Sequence, residues 1–162
     1  MRAIFVYRKA EPMKNKQNTP QSKPAESPHI IRRGRALILK RNQILLCNRL
    51  GTAFWYLPGG KAELKESCFQ AVAREIEEET GLSCIGNAFV GMYEHNYLDR
   101  RRGMEVQEVN ALYTLCVTSG LPEVVQSREL HLQFKWFSRK KLPESFFPAP
   151  LRRLLLEWFT NK

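Results

Sequence analysis

The chain has 162 residues, a formal net charge of +10, and 43% hydrophobic against 26% charged residues, a balance that predicts one soluble domain with a full core. Its longest apolar runs, such as Ala36 to Leu39, are far below the roughly 20 residues a membrane-crossing helix requires, so no membrane partner is expected. The four cysteines (Cys47, Cys68, Cys84, Cys116) form no CxxC pair and no close cluster with the histidines His29, His95 and His131, which points to free thiols and a cytoplasmic location and away from zinc.

Residues 1–28 read as an N-terminal extension ahead of a domain over 29–162. Ile4 to Tyr7 is too short an apolar core for a signal peptide. An added edge strand at residues 3–7 and an over-extended translation start are both open. Lys9 to Pro28 is polar and rich in Pro, Lys, Gln, Asn and Ser, the composition of a linker or disordered segment. The extension holds six basic and two acidic residues, which leaves +6 on the remainder. A positive field attracts polyanions, and it serves nucleotides and nucleic acid equally.

From Ile30 the chain reads as strand. Arg35–Leu39 and Ile44–Cys47 are apolar runs joined by the polar Lys40–Gln43, a hairpin by length. Arg49 closes the second run. Phe54–Leu57 is a further strand whose aromatics are expected in the core, and Pro58, Gly59 and Gly60 then bend the backbone. Ser67 followed by Gln70 marks a helix start and Gly81 a helix end, with an unbroken pattern over Cys68–Thr80 between them.

On that helix Phe69, Val72, Ala73 and Ile76 share one face, which is expected to be buried. Glu75, Glu78 and Glu79, at i, i+3 and i+4, stack three like charges on a neighbouring strip. A helix built for stability alone would alternate signs there. Three clustered carboxylates instead supply the hard oxygen ligands that Mg²⁺ or Mn²⁺ takes, and the glycine bend can add a backbone carbonyl. A solvated acidic face is the bland alternative.

Cys84–Tyr97 and Glu105–Val117 are two long strands around the loop Asp99–Gly103. Its three arginines, Arg100 to Arg102, are read first as a solvated hairpin tip and second as a phosphate grip. Leu132–Phe137 is another strand. After Pro150, the spacing of Leu151, Leu154, Leu155, Trp158 and Phe159 predicts an amphipathic helix packed on the sheet. The fold class is therefore α+β, an α/β/α sandwich with a mixed β-sheet between helices.

Gly60, Glu66, Arg74-Glu75-Ile76, Glu78-Glu79 and Gly81-Leu82 fill nine fixed positions over 23 residues, and the pattern resembles the complete signature of the Nudix hydrolases. The resemblance spans roughly Ile30 to Phe159. It implies the Nudix fold, with Glu75, Glu78, Glu79 and the Gly60 carbonyl as ligands of Mg²⁺ or Mn²⁺, and with Glu66 and Arg74 as a supporting pair. It also implies a general base, either Glu75 or a downstream carboxylate, with Glu129 ahead of Glu108. Gln133 stands where family members often carry an acid. Arg49 and Tyr97 are the expected substrate contacts. The implied activity is hydrolysis of a pyrophosphate bond in a nucleoside diphosphate linked to another moiety. A nucleoside triphosphate or related nucleotide leads, since no proline of the ADP-ribose type lies between Leu82 and Leu121. RNA 5′-end pyrophosphohydrolysis comes second and a non-catalytic nucleotide-binding domain third; monomer and homodimer are both open.

Overall fold

The computed structural model describes residues 6–8, 29–117 and 120–161. The segment read as a linker, residues 9–28, and residues 3–5 of the candidate edge strand lie outside them. Along the chain come β1 (Val6–Arg8), β2 (His29–Leu37), β3 (Leu39–Lys40), β4 (Gln43–Arg49), β5 (Trp55–Tyr56), α1 (Cys68–Thr80), β6 (Cys84–Asp99), β7 (Met104–Val117), β8 (Leu132–Ser138) and α2 (Ala149–Thr160).

The strands form two sheets. One has the order β1-β6-β7-β2, and the other joins β3, β5 and β8 to β4. The first is mixed, because β6 and β7 are antiparallel while β2 runs parallel to β7 and β1 parallel to β6. The expected local hairpin is therefore smaller than the sequence suggests. Only Leu39 and Lys40 pair with β4, and His29 to Leu37 pair with Val106 to Thr114 instead. Ile38 is the point where the chain passes from one sheet to the other.

Period-2 alternation decides what each face covers. The positions on one side, Ala36, Ile38 and Leu45, join Val72 and Ile76 of α1 in one core cluster. Their neighbours Leu37, Ile44 and Leu46 join Leu151, Leu155 and Trp158 of α2 in another. The result is the expected helix–sheet–helix layering, and no helix among the described residues is long and apolar enough to cross a membrane.

Helix α1 has the expected bounds. Ser67 accepts the Gln70 N–H while the Gln70 side chain returns to the Ser67 N–H, and Gly81 ends the helix at φ 75°. Two details differ. Ala71 rather than Ala73 is fully buried with Val72 and Ile76. Phe54, expected in the core, is 55% exposed and meets Phe147 at 5.9 Å. Strand β5 is only two residues long, so its pairing with β4 stops before Phe54.

Candidate active site

The glycine bend is fastened to β2 by backbone pairing: Ala36 N–H donates to Pro58 O at 2.8 Å and Gly34 N–H to Gly60 O at 3.1 Å. This brings Gly60 against α1. A Cβ on Gly60 would lie 2.0 Å from the Glu75 carboxyl carbon, so the bare Cα is what lets that carboxylate reach the bend. One lone pair of the Gly60 carbonyl is thus already in use, and the other is free to serve as the expected ligand.

Arg74 gathers the acids around itself. Its Nε donates to Glu66 Oε1 at 3.0 Å and its Nη2 to Glu66 Oε2 at 3.2 Å, so the two residues named from the signature as a pair are in contact. Its Nη1 reaches Glu75 at 3.2 Å and Glu78 at 3.0 Å. Hydrogen bonds from Arg74 and from the Glu63 N–H hold the Glu66 carboxyl below the usual carboxylate range.

Glu79 is different. It is only 8% exposed, and its Oε2 has no hydrogen-bond partner. Burial, with Glu75 and Glu129 adding repulsion, pushes its pKa up to about 8. A buried, unpartnered carboxylate oxygen beside Glu75, with Glu78 on the same strip, is a donor set that fits a hard divalent cation. Among the described residues no three acids, imidazoles or thiols close on one point. Arg74 draws Glu75 and Glu78 toward itself, whereas Glu79 turns inward.

These residues border a cleft of about 660 Å³. Gly60, Glu75, Glu79, Arg49 and Tyr97, all named from sequence, line it together. Tyr97 stacks on His95 at 5.6 Å, and His95 meets Phe147 edge-on at 5.4 Å, which makes one end of the cleft aromatic. Glu78 is exposed and stays on the Arg74 side. Glu129 approaches through His131, a cleft residue whose Nε2 lies 3.2 Å from its carboxylate, and it is near enough to Glu79 to raise that group's pKa. Glu108 lies on the cleft floor, with Oε2 at 2.9 Å from Arg33 Nε, although that N–H is not aimed along the contact. Gln133 serves the fold, donating to the buried Asn48 at 2.8 Å.

Arg33 and Arg35 were not singled out from sequence. They sit at i and i+2 with the core residue Leu37 two further on, so they continue an inward-facing row of β2. Two arginines on the buried face of a strand are the signal that could have found them. Arg100 to Arg102 do not line the cleft. Asp99 Oδ1 accepts the N–H groups of Arg101 and Arg102 at 2.9 and 3.3 Å and closes the hairpin tip on itself.

An α/β/α sandwich with a glycine bend facing a glutamate strip defines a hydrolase of pyrophosphate bonds in the Nudix manner, and comparison with known proteins agrees. The sequence pattern of the NUDIX domain matches residues 30–159. A Bacillus subtilis (strain 168) protein provisionally named an 8-oxo-dGTP diphosphatase is 32% identical over 119 residues, covering 74% of this chain and 72% of its own. A MutT-like protein of Streptomyces ambofaciens is 30% identical, covering 84% and 81%. The crystal structure of a MutT NUDIX hydrolase from Burkholderia pseudomallei superposes with a TM-score of 0.59 at 27% identity, covering 82% of this chain and 98% of that one. The chain belongs to the NUDIX domain family, and the enzyme class expected from its signature, a Nudix pyrophosphohydrolase, agrees with those names.

Proposed function

We propose that the protein hydrolyses a pyrophosphate bond in a nucleoside triphosphate or a related nucleoside diphosphate derivative, with Mg²⁺ or Mn²⁺ as the cofactor. One juxtaposition carries this reading: the buried, unpartnered carboxylate of Glu79 shares a cleft with the basic side chains of Arg33 and Arg49. Acid at one wall and base at the other suits a polyphosphate chain bridged to a cation. The name of the Bacillus relative, with its triphosphate substrate, supports the choice of class.

Glu75, Glu78, Glu79 and the Gly60 carbonyl are the residues that would hold the ion, which when bound supplies Lewis acidity and lowers the pKa of water. Arg49 and Arg33 offset phosphate charge, while the Tyr97–His95 stack offers a flat face to a base. Water adds to phosphorus, the bridging P–O bond breaks, and a carboxylate takes the proton released by the water. Glu129 is the carboxylate we assign to that step, with Glu75 second. It is half exposed and oriented by His131, so it can exchange its proton with solvent. Glu108 is less suited, because its carboxylate is already engaged by Arg33, Arg35 and the Asn110 amide.

Phosphate and pyrophosphate release measured over nucleoside triphosphates, nucleoside diphosphate sugars, dinucleoside polyphosphates and triphosphorylated RNA tests the assignment. Turnover is expected on a triphosphate, lost with EDTA and restored by Mg²⁺ or Mn²⁺. Full turnover in excess EDTA would overturn it.

A further inference from the structure

The stretch 57–60 presents four carbonyls, and β2 backbone amides satisfy only alternate ones, those of Pro58 and Gly60. The interleaved carbonyls of Leu57 and Gly59 are both met by one side chain. Arg35 Nη1 lies 3.3 Å from the first and 3.1 Å from the second. Without it two acceptors in a part-buried bend would lose their partner.

The rest of that guanidinium is also committed to protein. Its Nε donates to Asn110 Oδ1 at 3.1 Å, and its Nη2 lies 3.8 Å from Glu108 Oε1. Its carbon stands 5.8 Å from the centre of the Tyr56 ring. Asn110 is wholly buried and donates in turn to Glu108 Oε1 at 3.2 Å, which fixes the amide that fixes the arginine. Although Arg35 borders the cleft, its donors face two carbonyls, the Asn110 amide and the Glu108 carboxylate of the protein itself, in contrast to the more open Arg49.

We propose that Arg35 is a positioning residue of the ion site: it locks the glycine bend, and the bend, packed through Gly60 on Glu75, sets where the Glu75 carboxylate stands. The proposal rests on the reading of this cleft as the place of a divalent ion. A lysine cannot take over, because a single ammonium lacks the planar fork that spans two carbonyls and an amide at once.

The test follows Mn²⁺ affinity by the rise in melting temperature with Mn²⁺ concentration, alongside kinetics on a nucleoside triphosphate in Mg²⁺. Wild type, Arg35→Lys and Asn110→Leu are compared. Arg35→Lys is expected to weaken Mn²⁺ binding about tenfold or more, as loss of an outer-shell partner does. The Mg²⁺ needed for half-maximal turnover should rise by the same factor, while KM at saturating Mg²⁺ stays within about twofold. Asn110→Leu should move both quantities in the same direction by less, and it carries the test if Arg35→Lys fails to fold. A raised KM with unchanged Mn²⁺ affinity would make Arg35 a substrate contact and overturn the proposal. So would Mn²⁺ affinity unchanged in both variants, even at a lower melting temperature. If Mn²⁺ leaves the wild type unmoved, the ion reading falls and takes the role of Arg35 with it.

Discussion

Glu79 carries a cost that its neighbours on the same strip avoid. Glu75 and Glu78 both lean on Arg74, but Glu79 is buried with one oxygen unpartnered and other carboxylates nearby. Removing its charge is therefore expected to stabilise the metal-free protein. Glu79→Gln should raise the melting temperature by about 3 °C, which corresponds to roughly 1 kcal/mol for a domain of this size, and should cut turnover by at least about 100-fold if the carboxylate holds the ion. Differential scanning calorimetry in EDTA and steady-state kinetics in Mg²⁺ check the two halves. The sign of the pH dependence follows from the raised pKa. A carboxyl at about 8 in the folded state, against its ordinary 4.5, binds its proton more tightly folded than unfolded. Its contribution to metal-free stability is thus full at the acid end and is lost as pH rises from the ordinary value through about 8. Glu79→Gln should flatten that part of the stability-against-pH curve. Glu78→Gln should not, since Glu78 is exposed and its ion pair with Arg74 is worth under about 1 kcal/mol. Its melting temperature in EDTA should stay near wild type while turnover falls. Helical spacing alone showed three glutamates on one strip. Which of them bears the strain is set by burial, and burial depends on distant segments such as the loop whose Arg128 N–H donates to the Glu79 carbonyl at 2.7 Å.

At the level of the elements, two glycines that look alike in sequence have different consequences. A Cβ on Gly60 would meet the carboxyl end of a flexible side chain, Glu75. A Cβ on Gly34 would meet the backbone carbonyl of Cys68 at 1.9 Å, where α1 starts against β2. Gly60→Ala is accordingly expected to fold with a melting temperature close to wild type and to lose turnover about 100-fold, because the side chain that yields is one we propose to hold the ion. Gly34→Ala should lose about 1–3 kcal/mol of stability, the usual cost of overpacking; urea unfolding and kinetics on the pair separate the two effects. The first glycine was legible, because it stands in a bend and opens the Nudix signature. The second was not, since its need for a bare Cα arises from a helix that starts 34 residues later. Helix α1 was legible end to end for the opposite reason: Ser67, Gln70 and Gly81 cap it through contacts made within a few residues. Strand β2 shows the limit again. Its partner β7 is some 77 residues away, Ile31 facing Glu108, and the short polar link to β4 suggested a nearer pairing.

At the scale of the whole molecule, two groups of arginines among the described residues have different surroundings. Arg33, Arg35 and Arg49 line one cleft together with acids of α1 and β7, Arg33 in direct contact with Glu108, and their clustering could be seen only once β2 and β4 were in place. At the far end of the β6–β7 hairpin, Arg100 to Arg102 were visible in sequence as a run, and the structure turns them to solvent on a tip bracketed by Asp99. The charge that is easy to read in sequence thus lies away from the cleft. Replacing Arg100, Arg101 and Arg102 together by alanine is expected to leave KM and kcat for a nucleoside triphosphate within about twofold of wild type. The same variant distinguishes a nucleotide enzyme from one that follows an RNA chain. If single-stranded RNA lay along the hairpin, every phosphate that the variant no longer neutralises would lower the slope of log affinity against log salt by roughly 0.7. A tip that only keeps the hairpin in water should leave that slope unchanged. A salt titration of one triphosphorylated oligonucleotide, wild type beside the triple variant, therefore has a stated expectation, an unaltered slope. A shallower slope with unaltered nucleotide kinetics would assign the hairpin to RNA, and a raised KM for the nucleotide would bring the tip into the substrate site.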